Sequence, residues 1–138
     1  MTKPIKRARI NTRQQEAIGL PLVIFKGILV SLGLSVMLTV LLAVFSLLVE
    51  SAFIDRYLSY IIVAITMISI FAGSAYASHR AGSKGLLLGA IVGAIYVVVS
   101  VGIGMELNQE TISLLVLANK FAAGVAVGAL GGLLGVNL

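Results

Sequence analysis

The chain has no cysteine. That excludes a disulfide framework, a cysteine-ligated zinc and thiol catalysis, and it leaves the redox compartment open. Charge is also scarce. Asp, Glu, Lys and Arg make up 11% of the 138 residues, against roughly a quarter in an average soluble domain. Hydrophobic residues reach 59% and mean hydropathy is +1.12. So little polar surface cannot coat a soluble globule, so the chain reads as an integral membrane protein.

Acids are absent where chemistry in a membrane would use them. Glu50, Asp55, Glu106 and Glu110 all fall at the ends of apolar runs or between them. Proton-coupled transport ordinarily uses an acid within the membrane. The single histidine, His79, falls in a loop and reads as interfacial rather than metal-ligating. No nucleophile and base form a recognisable pair. Gly82-Ser83-Lys84-Gly85 lacks the preceding spacing and strand of a phosphate-binding loop. The residues point to no catalytic, cofactor or metal site, and the expectation is a protein that is not an enzyme.

What is present is a set of four apolar runs, with spans expected at about 22–49, 57–78, 85–105 and 112–134. About 20 apolar residues cross the hydrocarbon core as a helix. Pro21 is suited to open the first span, since proline is tolerated in a first helical turn. That span is too long for the apolar core of a cleaved signal. Tyr57, Tyr60 and Tyr76 fit interfacial anchors at the two ends of the second. The loops between are too short to hold a further domain. The expected fold is all-α, a four-helix transmembrane bundle over residues 20–138, preceded by a basic tail over 1–19. A faint duplication, Gly27-Ser31-Ser35 against Gly85-Gly89-Gly93, is compatible with two similarly oriented hairpins.

The tail carries Lys3, Lys6, Arg7, Arg9 and Arg13. Its first ten residues lack helical periodicity and read as disordered, with a capping box at Thr12-Arg13-Gln14-Gln15 to start a short interfacial helix. No aromatic residue interleaves the charges, which speaks against a nucleic-acid surface. A topology anchor is the simpler reading, and docking to anionic lipid or a partner is the sharper one. With the N-terminus inside, Lys3, Lys6, Arg7, Arg9, Arg13, Lys26, Arg80 and Lys84 fall on the inner face and only Arg56 on the outer. That bias predicts both termini in the cytoplasm.

Two glycine ladders organise the last third: Gly85, Gly89, Gly93 and Gly124, Gly128, Gly132. Four-residue spacing puts each set on one helix face. In lipid such faces let helix backbones approach closely. In an antiparallel hairpin, residues at equal depth have numbers with a constant sum, and this rule matches Gly85 with Gly132, Gly89 with Gly128, and Gly93 with Gly124. The expectation is a seam closed within one chain, with a pore lining or an oligomer seam as the alternatives.

Lys120 lies one rung before Gly124 on the same face, at the depth of Tyr96 and Val97. A lysine near the centre of a span costs about 2.5–3.5 kcal/mol on insertion scales. It either snorkels outward past Tyr96 toward Ser100, fixing the tilt of the fourth helix, or contacts an anion, a substrate or another protein's helix. Asn119 can hydrogen-bond across helices in either case. Asn119, Lys120, Tyr96 and Ser100 thus form the candidate intramembrane polar site. A second placement starts the fourth span at Phe121 and leaves Lys120 at the interface.

The stretch Ala81-Gly82-Ser83-Lys84-Gly85-Leu86-Leu87-Leu88-Gly89, continuing to Gly93 and Tyr96, resembles a family of small uncharacterised membrane proteins. So does the end, Gly128-Ala129-Leu130-Gly131-Gly132-Leu133-Leu134-Gly135-Val136-Asn137-Leu138. These are the YrzE-like four-helix proteins of Gram-positive bacteria. The resemblance covers roughly residues 20–138 and rests mainly on glycine patterns. It implies a bacterial plasma-membrane location and a gene context near an accessory subunit of the preprotein translocase. It implies no activity, so no catalytic residue carries over. Two functions follow as expectations: a subunit or accessory factor of a larger membrane complex, or a small oligomeric channel or transporter lined by the third and fourth helices. The expected partners are the lipid bilayer, another membrane protein, or further copies of the chain.

Overall fold

The computed structural model describes the backbone of residues 3–49, 52–108 and 113–138. Within them the chain is all-α, with four helices and no strand. They are α1 (Lys3–Leu48), α2 (Ala52–Ala81), α3 (Gly85–Asn108) and α4 (Leu114–Asn137). Each contains a stretch long and apolar enough to cross a membrane: Gly19–Leu48, Arg56–Ala81, Gly85–Leu107 and Leu114–Asn137. The shortest has 23 residues, about 34 Å at roughly 1.5 Å per residue, which exceeds the hydrocarbon core of about 30 Å.

Several boundaries differ from those expected, among them the end of α2, whose last turn holds His79 and Arg80 that were expected in a loop. Helix α1 does not begin near Pro21. It runs unbroken from Lys3, with Pro21 inside it. The stretch from Lys3 to Gly19 lacks a periodic apolar face but is rich in Lys, Arg, Gln, Glu and Ala, which favour helix through propensity alone. Pro4 falls in the first turn, where its missing N–H had no partner. The disordered tail and the separate interfacial helix are therefore both replaced by one continuous helix. Helix α2 begins at Ala52, so most of the expected loop up to Arg56 is helical. Glu106 belongs to the last turn of α3 rather than to a loop. Glu50, Ser51 and residues 109–112 lie outside the described residues.

The helices α2 and α3 occupy the middle. Helix α1 packs on α2 and more lightly on α3, α4 packs on α3 and α2, and α1 does not touch α4 among the described residues. The burial pattern inverts that of a soluble protein. Ser31, Ser69, Ser74, Ser78 and Ala77 are completely buried, while Leu47, Leu48, Leu114 and Leu115 are about four-fifths exposed. Large apolar side chains facing outward suit a lipid solvent. Small residues inside suit helix contacts made by close packing, because lipid tails are as apolar as leucine.

The buried serines carry their own hydrogen bonds. Ser31 donates to Gly27 O (3.0 Å), Ser69 to Ile65 O (2.7 Å) and Ser74 to Phe71 O (2.9 Å). Each closes onto a carbonyl one turn back, so a hydroxyl is buried without an unsatisfied donor. Among the described residues a small apolar cluster forms at mid-depth, Ile70 with Tyr96 and Val97, with Leu32, Val101 and Val127 against it.

The α2–α3 turn is three residues long. Gly82 takes φ +66 and its amide donates to Ser78 O (3.0 Å), the left-handed cap that glycine suits. Lys84 follows at φ +53. Ser78 Oγ reaches over the turn to Gly85 O (3.2 Å). So tight a connection holds α2 and α3 as antiparallel neighbours.

Candidate functional site

The α3–α4 contact is backbone on backbone. A methyl group on Gly89 would lie 2.8 Å from Gly132 Cα and closer still to the Gly128 carbonyl oxygen. One on Gly93 would lie 3.0 Å from the Gly124 carbonyl carbon, and one on Gly85 would strike Gly132 O and Val136. Real Cβ atoms do not approach backbone this closely, so each substituent would force the helices apart. All six ladder glycines are buried.

Helix α4 carries a second glycine face that sequence reasoning passed over. A methyl on Gly131 would lie 2.6 Å from Phe71 O and against Ser74 Oγ, and one on Gly135 2.8 Å from Ala75 Cα. These two glycines, four residues apart, seat α4 on α2. Their spacing was the available signal, but the longer ladder beside them masks it. On the other side of α2, a methyl on Gly27 would lie 2.7 Å from Ala77 Cβ, and Gly73 fits over Ser31.

All these contacts lie toward the end that holds the α2–α3 turn. Gly27 of α1 and Gly135 of α4 meet α2 at nearly the same level, at Ala77 and Ala75. Lys26, His79, Arg80 and Lys84 stand at this end. There His79 Nδ1 lies 3.2 Å from Gly135 O, which ties the end of α2 to the last turn of α4.

Toward the opposite end the glycine contacts stop and α2, α3 and α4 separate. A cleft of about 1000 Å³ opens between them. Ile62, Val63, Thr66, Met67 and Ile70 line it from α2, and Tyr96, Val97, Ser100 and Gly104 from α3. From α4 come Asn119, Lys120, Ala123 and Gly124. The cleft thus gathers Tyr96, Ser100, Asn119 and Lys120. Tyr96 is almost fully buried, at 3% exposed. Lys120, Asn119 and Ser100 are exposed. Lys120 comes six residues after the start of α4. Thr66 donates to Ile62 O (2.9 Å), so its hydroxyl is engaged within α2. Among the described residues no acidic side chain lines the cleft, and no group of three or more His, Cys, Asp or Glu could hold a metal ion.

Four long apolar helices, small buried residues and outward-facing leucines define a small multi-pass membrane protein. The family described as "Protein of unknown function (DUF3792)" matches residues 21–135, and the chain belongs to it. No curated protein and no solved structure matches.

Proposed function

We propose that this protein is a non-enzymatic subunit or accessory factor of a larger membrane complex. The observation that supports this reading is the cleft. Lys120, Asn119 and Ser100 present hydrogen-bonding groups in an opening at membrane depth, with no acid in its lining among the described residues. A cation there is costly. A partner helix that brought an acceptor or a carboxylate into the opening would offset much of that cost.

The alternative is a small oligomeric channel or transporter lined by α3 and α4. It has less support, because the facing backbones of α3 and α4 leave no room for a path between them from Gly85 to Gly93. The polar groups of the cleft also reach only one half of the bundle.

In this reading the six ladder glycines are the seam that keeps α3 and α4 together. The chain sits in the plasma membrane of a Gram-positive bacterium with both termini in the cytoplasm. The charge bias supports that orientation, since Lys26, Arg80 and Lys84 stand at the end where α1 enters and α4 leaves. The resemblance points to the neighbourhood of the preprotein translocase as a source of the partner.

The test is affinity purification in mild detergent, with partners identified by mass. Lys120→Met should insert at least as well as the parent chain, since it removes a charge from lipid, yet lose the co-purifying membrane protein. Lys120→Arg, which keeps the charge, should retain part of it. Recovery of the parent chain only as a self-oligomer overturns the accessory reading.

A further inference from the structure

A second recess, of about 170 Å³, lies at the other end of the molecule between α1 and α2. Its lining is Leu22, Val23, Lys26, Tyr76 and Arg80. The Arg80 guanidinium carbon stands over the Tyr76 ring, 5.7 Å from its centroid. We infer that this recess binds the phosphate of an anionic membrane lipid.

Three features converge. Two cations from different helices line one small space, with no acid in its lining among the described residues. Like charges brought together repel, and an anion between them turns that repulsion into attraction. Stacking on Tyr76 restrains the guanidinium, which is planar and weakly hydrated and offers paired N–H donors that match phosphate oxygens. Lys26 adds a point charge from the facing helix. The third feature is the apolar half of the lining. Leu22 is 57% exposed, and with Val23 it gives the recess a wall suited to glycerol and the first acyl carbons. Free phosphate has no use for such a wall, which favours the lipid as source. The level also fits, since Arg80 lies at the end of its apolar stretch, Arg56–Ala81, and Lys26 faces it from the first third of Gly19–Leu48. Basic recesses between helices at this level are a recurring place for anionic headgroups.

The test is native mass spectrometry of the full chain, released from micelles that contain either phosphatidylglycerol or phosphatidylcholine. The parent chain should retain one phosphatidylglycerol in preference to phosphatidylcholine. Arg80→Gln and Lys26→Gln should each lower that retention about fivefold, the worth of one basic residue at an anionic surface. Lys84→Gln makes the same charge change at the same end but outside the recess, and should leave retention unchanged. Tyr76→Phe should keep it and Tyr76→Leu reduce it. Equal loss with Lys84→Gln, or equal retention of the two lipids, overturns the proposal in favour of diffuse surface charge. Displacement of the lipid by millimolar inorganic phosphate overturns it in favour of a free anion. A variant that does not run as a folded species is replaced by Arg80→Lys, which keeps the charge but not the planar fork and should hold less lipid than the parent.

Discussion

Gly89 and Gly128 face each other so closely that the carbonyl oxygen of each occupies the space in which the other's Cβ would stand. Neither backbone can yield without moving a whole helix. Alanine at either position should therefore destabilise the α3–α4 pair by about 1–3 kcal/mol, the usual cost of overpacking. Gly33 and Gly102 are helical glycines with nothing within 4 Å of a built Cβ. Alanine there should be neutral or stabilising by up to about 1 kcal/mol, through backbone entropy alone. Thermal unfolding in detergent compares the four variants. Equal effects at buried and open positions would show that the seam does not hold the pair.

The α2–α3 turn gives a prediction with two signs. Gly82 has open space around its missing Cβ but φ +66, so Gly82→Ala should cost about 1–2 kcal/mol from backbone conformation only. Lys84 already bears that strain at φ +53. Lys84→Gly should relieve it, with a gain of up to about 1 kcal/mol, reduced by the added entropy of the unfolded chain. The same melting measurement reads both. A loss at Lys84→Gly comparable to that at Gly82→Ala would show that the side chain, rather than φ, governs the turn.

The four helices long enough to cross a membrane were legible because each apolar run is long and carries little charge. Their ends were not. Lys3 to Gly19 joins α1 through propensity, and a search for a periodic apolar face does not register that. Glycines four apart mark a face, but spacing alone does not say which neighbour the face meets. Gly131 and Gly135 needed the position of α2 to acquire a meaning. The cleft was less legible still. Lys120, Asn119 and Tyr96 could be placed at one depth by counting, with Ser100 a turn farther out, but the opening they share depends on where α2 parts from α3 and α4. The Tyr76–Arg80 stack was within reach, as an i, i+4 pair on one helix. Lys26 opposite it required the packing of α1 on α2.

Orientation is open to direct labelling, since the chain has no cysteine of its own. A cysteine at Ser83 or Asn137 should be shielded from an impermeant thiol reagent in intact cells. One at Ser113, exposed at the start of α4, should react. Labelling at Ser83 from outside the cell would reverse the assignment of both termini to the cytoplasm.

The central claim is that each chain closes its own glycine seam, which leaves the cleft rather than the seam for a partner. A Cβ built on Gly124 lies 3.6 Å from Val97 Cβ, within the range of about 3.5–4.5 Å that a disulfide spans. The most direct measurement is oxidation of a Val97→Cys, Gly124→Cys double variant in membranes, read on a non-reducing gel. The account predicts a cross-link within one chain, seen as a faster monomer band that reduction removes. Cross-linking only between chains, as a dimer band with no change in the monomer, would contradict it and move the seam to an interface between copies.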